Sequence, residues 1–87
     1  MAWTIELSRS AERQLKKLDR TWQMRVVGHL RMISALENPR LRGKALQGDL
    51  AGLWRYRIGD YRIVCEIHDD MLVIRAITIG HRRSVYD

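Results

Sequence analysis

Polar and apolar residues alternate strictly along residues 53–67, on both sides of the dipeptide Gly59-Asp60, and this pattern constrains the fold more than any other. Such alternation predicts two β-strands, and a two-residue connection that begins with glycine predicts a β-hairpin with a type II′ turn. A two-residue turn also determines which residues pair across the strands. We therefore expect Arg57 to lie directly opposite Arg62.

Three arginines, Arg55, Arg57 and Arg62, share one side of this predicted hairpin. Like charges directly opposite each other in an antiparallel pair destabilise the pair. Two interpretations are open: the guanidinium groups spread into solvent and Glu66 offsets one of them, or the face is an anion site prepared for polyphosphate. We favour the anion site, because the fold itself gains nothing from opposed arginines.

The charge of the chain also indicates an anionic partner. The formal net charge is +6 and the isoelectric point lies near 10.2, which suits a nucleic acid or an acidic protein without distinguishing them. The sixteen basic residues include only three lysines, Lys16, Lys17 and Lys44. Because the planar guanidinium of arginine binds phosphate or carboxylate through two parallel hydrogen bonds, this bias favours specific anion binding over general solvation.

Length and composition predict one domain over residues 1–87, because 87 residues with 46% hydrophobic content can bury a modest core without disulfides or metals. Cys65, the single cysteine, falls on the apolar side of its predicted strand and is expected to be a core thiol. The sequence has no run of about 18 apolar residues and no signal-peptide pattern, so we expect a cytoplasmic protein.

The N-terminal half predicts a strand and two helices. Residues 3–7 alternate as a short strand, and Ser8 or Ser10 then offers an N-cap for a first helix. Asp19 is a good N-cap for a second helix, whose apolar residues recur at helical spacing until Asn38-Pro39. The two helices are expected to form a helical hairpin.

The C-terminal half predicts a loop and a third strand. Residues 40–52 show no sustained periodicity and are interpreted as a loop with structure of its own. The strand, Met71–Ile79, carries β-prone residues on both faces, which is typical of a central strand. If Asp69-Asp70 forms a two-residue turn, Val64 faces Arg75. Arg75 then lies on the same side of the sheet as the three hairpin arginines, and we call this side the basic face.

These elements predict an α+β fold in which the N-terminal strand and an α-helical hairpin pack on one face of a small antiparallel β-sheet. The helices then cover the apolar face of the sheet, and the arginine face is expected to be open to solvent.

Few groups suited to acid–base or metal chemistry accompany the arginines. The sequence has no paired-cysteine motif, no helical His-x-x-x-His and no phosphate-binding glycine loop, so we expect neither a metal nor another cofactor. His29 and His68 are interpreted as surface residues. His81, beside Arg82, is the residue expected to exchange a proton near neutral pH at the end of the third strand.

Several motifs spread over almost the whole sequence resemble the RelE family of toxins. They are Trp3–Leu18, Asn38-Pro39-Arg40, Gly43-Lys44, Leu50–Arg57, Gly59-Asp-Tyr-Arg62, Gly80-His-Arg-Arg83 and Val85-Tyr86. Each motif is weak alone, but their order in a small basic chain makes the resemblance specific.

The resemblance implies a RelE-like fold and a ribosome-dependent messenger-RNA endonuclease, inhibited by an acidic RelB-like antitoxin encoded beside it. Enzymes of this family are understood to cleave without a metal: the 2′-hydroxyl of the RNA attacks the adjacent phosphate and leaves a cyclic phosphate. The resemblance also implies that the toxin–antitoxin complex binds operator DNA through the antitoxin.

By position, the resemblance assigns transition-state stabilisation to Arg62, the leaving oxygen to Arg82, phosphate positioning to Arg55, and stacking or orientation of a base to Tyr86. Arg57 stands where the best-known members carry a lysine that is proposed as the general base. Because arginine stays protonated, it is a poor base, and this departure leaves the proton acceptor open.

Two other residues are candidates to accept the proton of the 2′-hydroxyl. We expect His81 to act as general base or acid, with Glu66 as the alternative, although Glu66 is more typical of a salt-bridge partner for Arg55. Further RNA contacts are expected from the other basic residues of the face and the tail, which are Lys44, Arg75 and Arg83.

Two rival functions stay open at this point. ParE-like relatives share the scaffold but act on DNA gyrase and generally lack the set Arg62, Arg82 and Tyr86, so the presence of that set argues against them. A non-catalytic module that binds RNA, or joins its antitoxin as a DNA-bound corepressor, would use the same face.

Overall fold

A computed structural model describes residues 3–81, and this part of the chain contains two α-helices and one five-stranded sheet. The predicted α+β class is therefore confirmed. The elements are β1 (Thr4–Leu7), α1 (Arg9–Lys17), α2 (Arg20–Ser34), β2 (Lys44–Ala45), β3 (Trp54–Ile58), β4 (Tyr61–His68) and β5 (Val73–His81). Neither helix in these residues is long and apolar enough to cross a membrane.

The sheet is mixed, with strand order β1-β5-β4-β3-β2. Strands β3, β4 and β5 pair antiparallel as expected. Strand β2, which lies in the segment interpreted as a loop, adds an antiparallel edge beside β3, whereas β1 pairs parallel with β5 and forms the other edge. The expected placement of the N-terminal strand with the helices on one face of an antiparallel sheet is thus wrong, because the alternation of a short strand does not identify its partner. β5 lies between β1 and β4, which confirms it as an interior strand.

Both helices begin at side-chain caps. The Ser8 hydroxyl accepts a hydrogen bond from the Ala11 N–H at 3.0 Å, so Ser8 and not Ser10 is the first N-cap. An Asp19 carboxylate oxygen accepts from the Trp22 N–H at 3.0 Å, as predicted. The caps confirm where the helical hairpin starts and turns.

Helix α2 ends at Ser34, earlier than the predicted end near Asn38-Pro39. The Ser34 carbonyl accepts a hydrogen bond from the Trp3 N–H at 3.1 Å, which ties the end of the helix to the start of β1. Asn38 then caps a separate 3₁₀ turn, Pro39–Leu41, by accepting from the Arg40 N–H at 2.9 Å. The proline therefore starts this turn and does not mark the end of α2.

The helical hairpin packs on one face of the sheet. Apolar side chains of α1 and α2 meet alternate residues of the central strands in one buried cluster, which comprises Ala11, Val26, Leu30, Ile33, Tyr56, Ile58, Ile63, Cys65, Ile74, Ala76 and Ile79. Burying these side chains supplies the main favourable free energy of folding.

Cys65 is fully buried in this cluster, which confirms the predicted core thiol. Burial raises the pKa of the Cys65 thiol to about 12, so almost no thiolate exists at neutral pH. We expect native protein to react with a thiol reagent such as dithionitrobenzoate only at the rate of global unfolding. Stoichiometric labelling within seconds in the absence of denaturant would contradict this packing.

The connection between β4 and β5 has four residues, 69–72, and Leu72 adopts a positive φ of 53°. The predicted two-residue turn is therefore wrong, and β5 runs from Val73 to His81 in place of Met71–Ile79. Arg75 lies opposite Glu66, not Val64, but it stays on the basic face because the register differs by two residues.

The face that carries the arginines is partly covered, so the expectation of a wholly open face is wrong. Leu46 and Val64 are buried there in a second apolar cluster, with Leu50, Leu53 and Ile77 packed against them. Leu46 and Leu50 belong to the segment that was interpreted as a structured loop. It covers this part of the sheet because Val64 and Ile77 are apolar residues on the basic side.

Candidate functional site

The β3–β4 hairpin has the register predicted from its two-residue turn. Arg57 pairs with Arg62 and Ile58 with Tyr61, and Gly59 has a φ of 57° as a type II′ turn requires. A Cβ atom on Gly59 would lie 2.5 Å from the ring of Trp22. Glycine is therefore needed both for its backbone conformation and for the contact between the turn and α2.

Four basic residues form a row on one face of strands β2, β3 and β4, and we call them the basic row: Lys44, Arg55, Arg57 and Arg62. Lys44 lies directly opposite Arg55, and Arg57 lies directly opposite Arg62. The sheet thus contains two successive like-charged cross-strand pairs, each of which costs roughly 0.2–1 kcal/mol. Within residues 3–81, Lys44, Arg55 and Arg57 form no ion pair with a carboxylate.

Arg62 differs from the rest of the basic row because its residue surface is only 5% exposed. The expectation that Arg62 stands on an open surface is wrong, although its register is right. A buried guanidinium is held in place by its surroundings and is poorly hydrated, so it interacts more strongly with an anion than an exposed one does. Arg57, directly opposite, is exposed.

Hydrogen bonds from β3 hold the segment that carries Lys44. The indole N–H of Trp54 donates to the Arg42 carbonyl at 2.7 Å, and the hydroxyl of Tyr56 donates to the Pro39 carbonyl at 2.8 Å. Directly after the Arg42 anchor the chain passes so close to β3 that a Cβ atom on Gly43 would lie 2.4 Å from the Arg55 carbonyl oxygen. The placement of Lys44 is therefore a consequence of the packing around Gly43.

Replacing Gly43 by alanine is expected to cost about 1–3 kcal/mol and to displace the segment that carries Lys44, because φ is +80° and the new methyl group meets backbone. Gly48→Ala is the matched control, since Gly48 also has positive φ but a Cβ there meets nothing within 4 Å. Denaturant unfolding of both variants measures the difference, and equal losses of stability would contradict the close approach at Gly43.

A cleft of about 260 Å³ opens beside the basic row at the edge of β3. It is lined by His29 from α2, by residues 42–44 and by residues 55–57. His29, half-buried, lies edge-on to the ring of Tyr56 with centroids 6.5 Å apart. Burial, and to a lesser degree the charge of Arg42, lowers the pKa of His29.

The assignment of His29 to the general surface is therefore wrong. His29 follows Val26 by three residues and precedes Ile33 by four, and both of these are buried. That spacing places the histidine on the inward side of α2 and could have been read from the sequence. The proximity of His29 to the basic row could not have been predicted from the sequence, because the residues of the row are far from His29 along the chain.

His81 lies away from the basic row. It pairs with Tyr61 at the end of β5, and the two rings are 5.7 Å apart on the face that the helices cover. Arg62 is opposite Gly80, so its side chain points to the other face. The expected juxtaposition of His81 with the arginine face is wrong, because β5 continues through His81 and its pairing with β4 shifts by one residue between Val64 and Cys65, which reverses the faces of the residues that follow.

Glu66 lies on the basic face but does not pair with Arg55 as expected. Its carboxylate is 3.0 Å from the ring nitrogen Nε2 of His68, and it lies opposite Arg75 in the sheet. Arg55 is opposite Val64. Glu66 thus shares the face of the basic row and has His68 as its hydrogen-bond partner.

The structure brings together five of the residues selected from the sequence on one face, which are Lys44, Arg55, Arg57, Arg62 and Arg75. Of the other four, His81 lies on the opposite face, and Arg82, Arg83 and Tyr86 lie outside the described residues. Within residues 3–81, no group of three or more histidine, cysteine, aspartate or glutamate side chains is placed to hold a metal ion.

Comparison with known proteins identifies the class to which this fold and this basic site belong. Residues 5–86 match the family described as the ParE toxin of the type II toxin–antitoxin system parDE. The chain therefore belongs to this family of toxins.

Named relatives place it among the RelE-like members. Toxin RelG of Mycobacterium tuberculosis is 31% identical over 87 residues, 99% of this chain and 98% of that toxin. Toxin RelE of the same organism is 43% identical over 51 residues, 59% of this chain but only 53% of that toxin. The crystal structure of the M. tuberculosis toxin–antitoxin complex RelBE2 superimposes with a TM-score of 0.85 at 29% identity, covering 94% of this chain and 93% of that one. The chain is thus similar to RelE-type toxins in both sequence and fold.

Proposed function

We propose that this toxin is a ribosome-dependent endoribonuclease that cleaves messenger RNA without a metal ion and so inhibits translation. The observation that carries the proposal is the basic row, which contains two like-charged pairs. In each pair, the two residues lie directly opposite each other in the sheet. Such an arrangement costs free energy in the unbound protein and is relieved when a phosphate backbone neutralises it.

The proposed reaction is an internal transesterification. The 2′-hydroxyl oxygen loses its proton and attacks the adjacent phosphorus, and the bond from phosphorus to the 5′ oxygen breaks. The leaving 5′ oxygen takes a proton from solvent, so the products carry a 2′,3′-cyclic phosphate and a 5′-hydroxyl. Negative charge grows on the phosphate oxygens in the transition state. Preorganised guanidinium groups stabilise this charge, and Arg62, buried and opposite Arg57, is proposed as the main donor.

The remaining roles follow the resemblance to RelE-like enzymes. Arg55 positions the phosphate, Arg82 neutralises the leaving 5′ oxygen, and Tyr86 stacks on or orients a base. Lys44, Arg75 and Arg83 contribute further contacts to the RNA backbone.

The proton of the 2′-hydroxyl needs an acceptor, and Glu66 is now the candidate on the basic face. Arg57 stays protonated, and the ring of His81 lies on the opposite face of the sheet. The hydrogen bond between Glu66 and His68 at 3.0 Å gives the proton a path away from the carboxylate. Much of the substrate's orientation would come from the ribosome, which accounts for so small a set of catalytic groups.

A cognate antitoxin is the second proposed partner. The structural relative from M. tuberculosis was crystallised as a toxin–antitoxin complex. With a net charge of +6, this toxin suits an acidic antitoxin that is partly disordered when free and folds on binding. We propose that the complex of the two binds operator DNA through the antitoxin.

The decisive experiment maps cleavage of a translated messenger on purified ribosomes by primer extension, in the presence of a chelator, with naked RNA of the same sequence alongside. The proposal expects discrete cuts only in the ribosome-bound messenger, and products that end in a cyclic phosphate. Intact messenger in every lane would reject the nuclease function.

Inhibition of DNA gyrase is the second candidate, because the family that matches residues 5–86 is described by the ParE toxin. A supercoiling assay with purified gyrase separates the two functions. Inhibition at a toxin concentration that leaves messenger RNA intact on ribosomes would favour the gyrase target, whereas unaffected supercoiling together with cleavage would exclude it.

A further inference from the structure

The cleft at the edge of β3 joins the two faces of the sheet. Strand β2 is only two residues long and pairs with Trp54 and Arg55, so no strand in the described part of the chain covers the edge of β3 beyond Arg55. Helix α2 approaches this edge from the core side and contributes His29, while the basic row approaches from the other side. The cleft is therefore a place where residues of both faces meet.

We infer that this cleft binds a phosphate of the RNA backbone that is not the scissile one, and that His29 is a protonatable ligand of that phosphate. The inference rests on the proposed RNA substrate and adds a second anion subsite, centred on His29 and Arg42, to the site around Arg62. At about 260 Å³ the cleft is smaller than pockets for drug-sized ligands and suits a single phosphoryl group.

The charges around the cleft support an anionic occupant. Four basic side chains line it, from three segments: Arg42 before β2, Lys44 in β2, and Arg55 and Arg57 in β3. None of them forms an ion pair with a carboxylate within residues 3–81. No acidic residue among the described residues lines the cleft, so a bound phosphate would meet only positive or neutral groups there.

The cleft is also held in shape before any ligand binds. The Trp54 indole fixes the Arg42 carbonyl at 2.7 Å, and the positive φ of Gly43 brings Lys44 beside Arg55. The ring of Tyr56 forms the floor against which His29 packs. A preformed site loses less conformational entropy on binding than a flexible one.

The pH dependence of binding follows from the groups that face His29. They are Arg42 before β2, Lys44 in β2, and Arg55, Tyr56 and Arg57 in β3, and apart from the neutral tyrosine all are cationic. Burial and Arg42 lower the pKa of His29, so the free protein holds a neutral imidazole at pH 7. A bound phosphate favours the imidazolium and raises this pKa, so phosphate affinity must rise as the pH falls through the titration of His29.

The first test follows the imidazole resonances of all three histidines by NMR in the full-length protein as the pH is varied. The titration is run with and without a short RNA whose 2′-hydroxyls are methylated, so that it cannot be cleaved. We expect the RNA to raise the pKa of His29 by at least about half a unit, because a bound phosphate favours the imidazolium. An unshifted His29 in RNA-saturated protein would overturn the inference.

The second test measures affinity for the same RNA at pH 5.5 and pH 7.5. His29→Gln is expected to abolish most of the gain in affinity at the lower pH, and Arg42→Gln to weaken binding roughly fivefold to tenfold at both. Arg13→Gln, on the exposed side of α1, removes one charge outside the cleft and should retain the wild-type pH dependence. A His29→Gln variant with an unchanged pH dependence would contradict the subsite.

Because neither test involves cleavage, the two proposals fail separately. RNA binding with a shifted His29 but no cleavage on ribosomes would reject the nuclease and keep the subsite. Cleavage on ribosomes with an unshifted His29 would keep the nuclease and reject the subsite.

Discussion

Replacing Arg62 by alanine is expected to lower the rate of ribosome-dependent cleavage about 10²- to 10³-fold. The side chain is 5% exposed and lies opposite Arg57 beside the tight turn, so it is positioned before substrate binds. Loss of one preorganised donor to a phosphate that gains charge raises the barrier by about 3–4 kcal/mol. Single-turnover cleavage on programmed ribosomes, with toxin in excess, measures the effect.

Arg13→Ala is the matched control for this variant, because it removes the same charge from an exposed position on α1. Since Arg62 is buried, its truncation also costs some stability, and both rates must be measured well below the unfolding temperature of each variant. A folded Arg62→Ala protein that cleaves as fast as the Arg13→Ala control would remove Arg62 from the mechanism.

The elements that could be predicted from sequence are those with a local cause. The dipeptide Gly59-Asp60 determines the pairing of Arg57 with Arg62, since a two-residue turn permits only one register. The N-cap Asp19 marks the start of α2, because its side chain accepts a hydrogen bond from the Trp22 N–H three residues later. In both cases a few neighbouring residues are enough to define the geometry.

The features that could not be predicted depend on contacts between distant segments. The length of the β4–β5 loop depends on Leu72 adopting a left-handed backbone conformation. The dipeptide Asp69-Asp70, from which a two-residue turn was predicted, does not indicate that conformation. The parallel pairing of β1 depends on β5, more than sixty residues away. Leu46 covers Val64 because the intervening chain folds back over the sheet.

The same distinction applies to the candidate site. Arg55, Arg57 and Arg62 could be assembled from the hairpin alone, whereas the position of Lys44 opposite Arg55 required the packing around Gly43. His81 was displaced to the other face because the pairing of β4 with β5 shifts by one residue between Val64 and Cys65, and a one-residue shift reverses the face that later side chains occupy. An irregularity of this kind in one strand pair is enough to alter the proposed acid–base chemistry without changing the fold.

Replacing Tyr56 by alanine is expected to reduce the free energy of unfolding by about 3–5 kcal/mol, the largest loss among single substitutions that we expect in this chain. The side chain is 1% exposed and joins three parts of the molecule. Its ring packs in the core and against His29, and its hydroxyl donates to the Pro39 carbonyl at 2.8 Å. Truncation leaves a cavity and also an unsatisfied carbonyl.

Tyr56→Phe separates these two contributions, because it keeps the ring and removes only the hydroxyl. We expect it to cost about 1–2 kcal/mol from the lost hydrogen bond to Pro39, and to loosen the segment that carries Arg42 and Lys44. Urea unfolding of both variants, followed by tryptophan fluorescence, provides the two free energies. If the phenylalanine variant unfolds with the wild-type free energy, the Pro39 carbonyl must find another donor, and Tyr56 then supports the basic row through its ring alone.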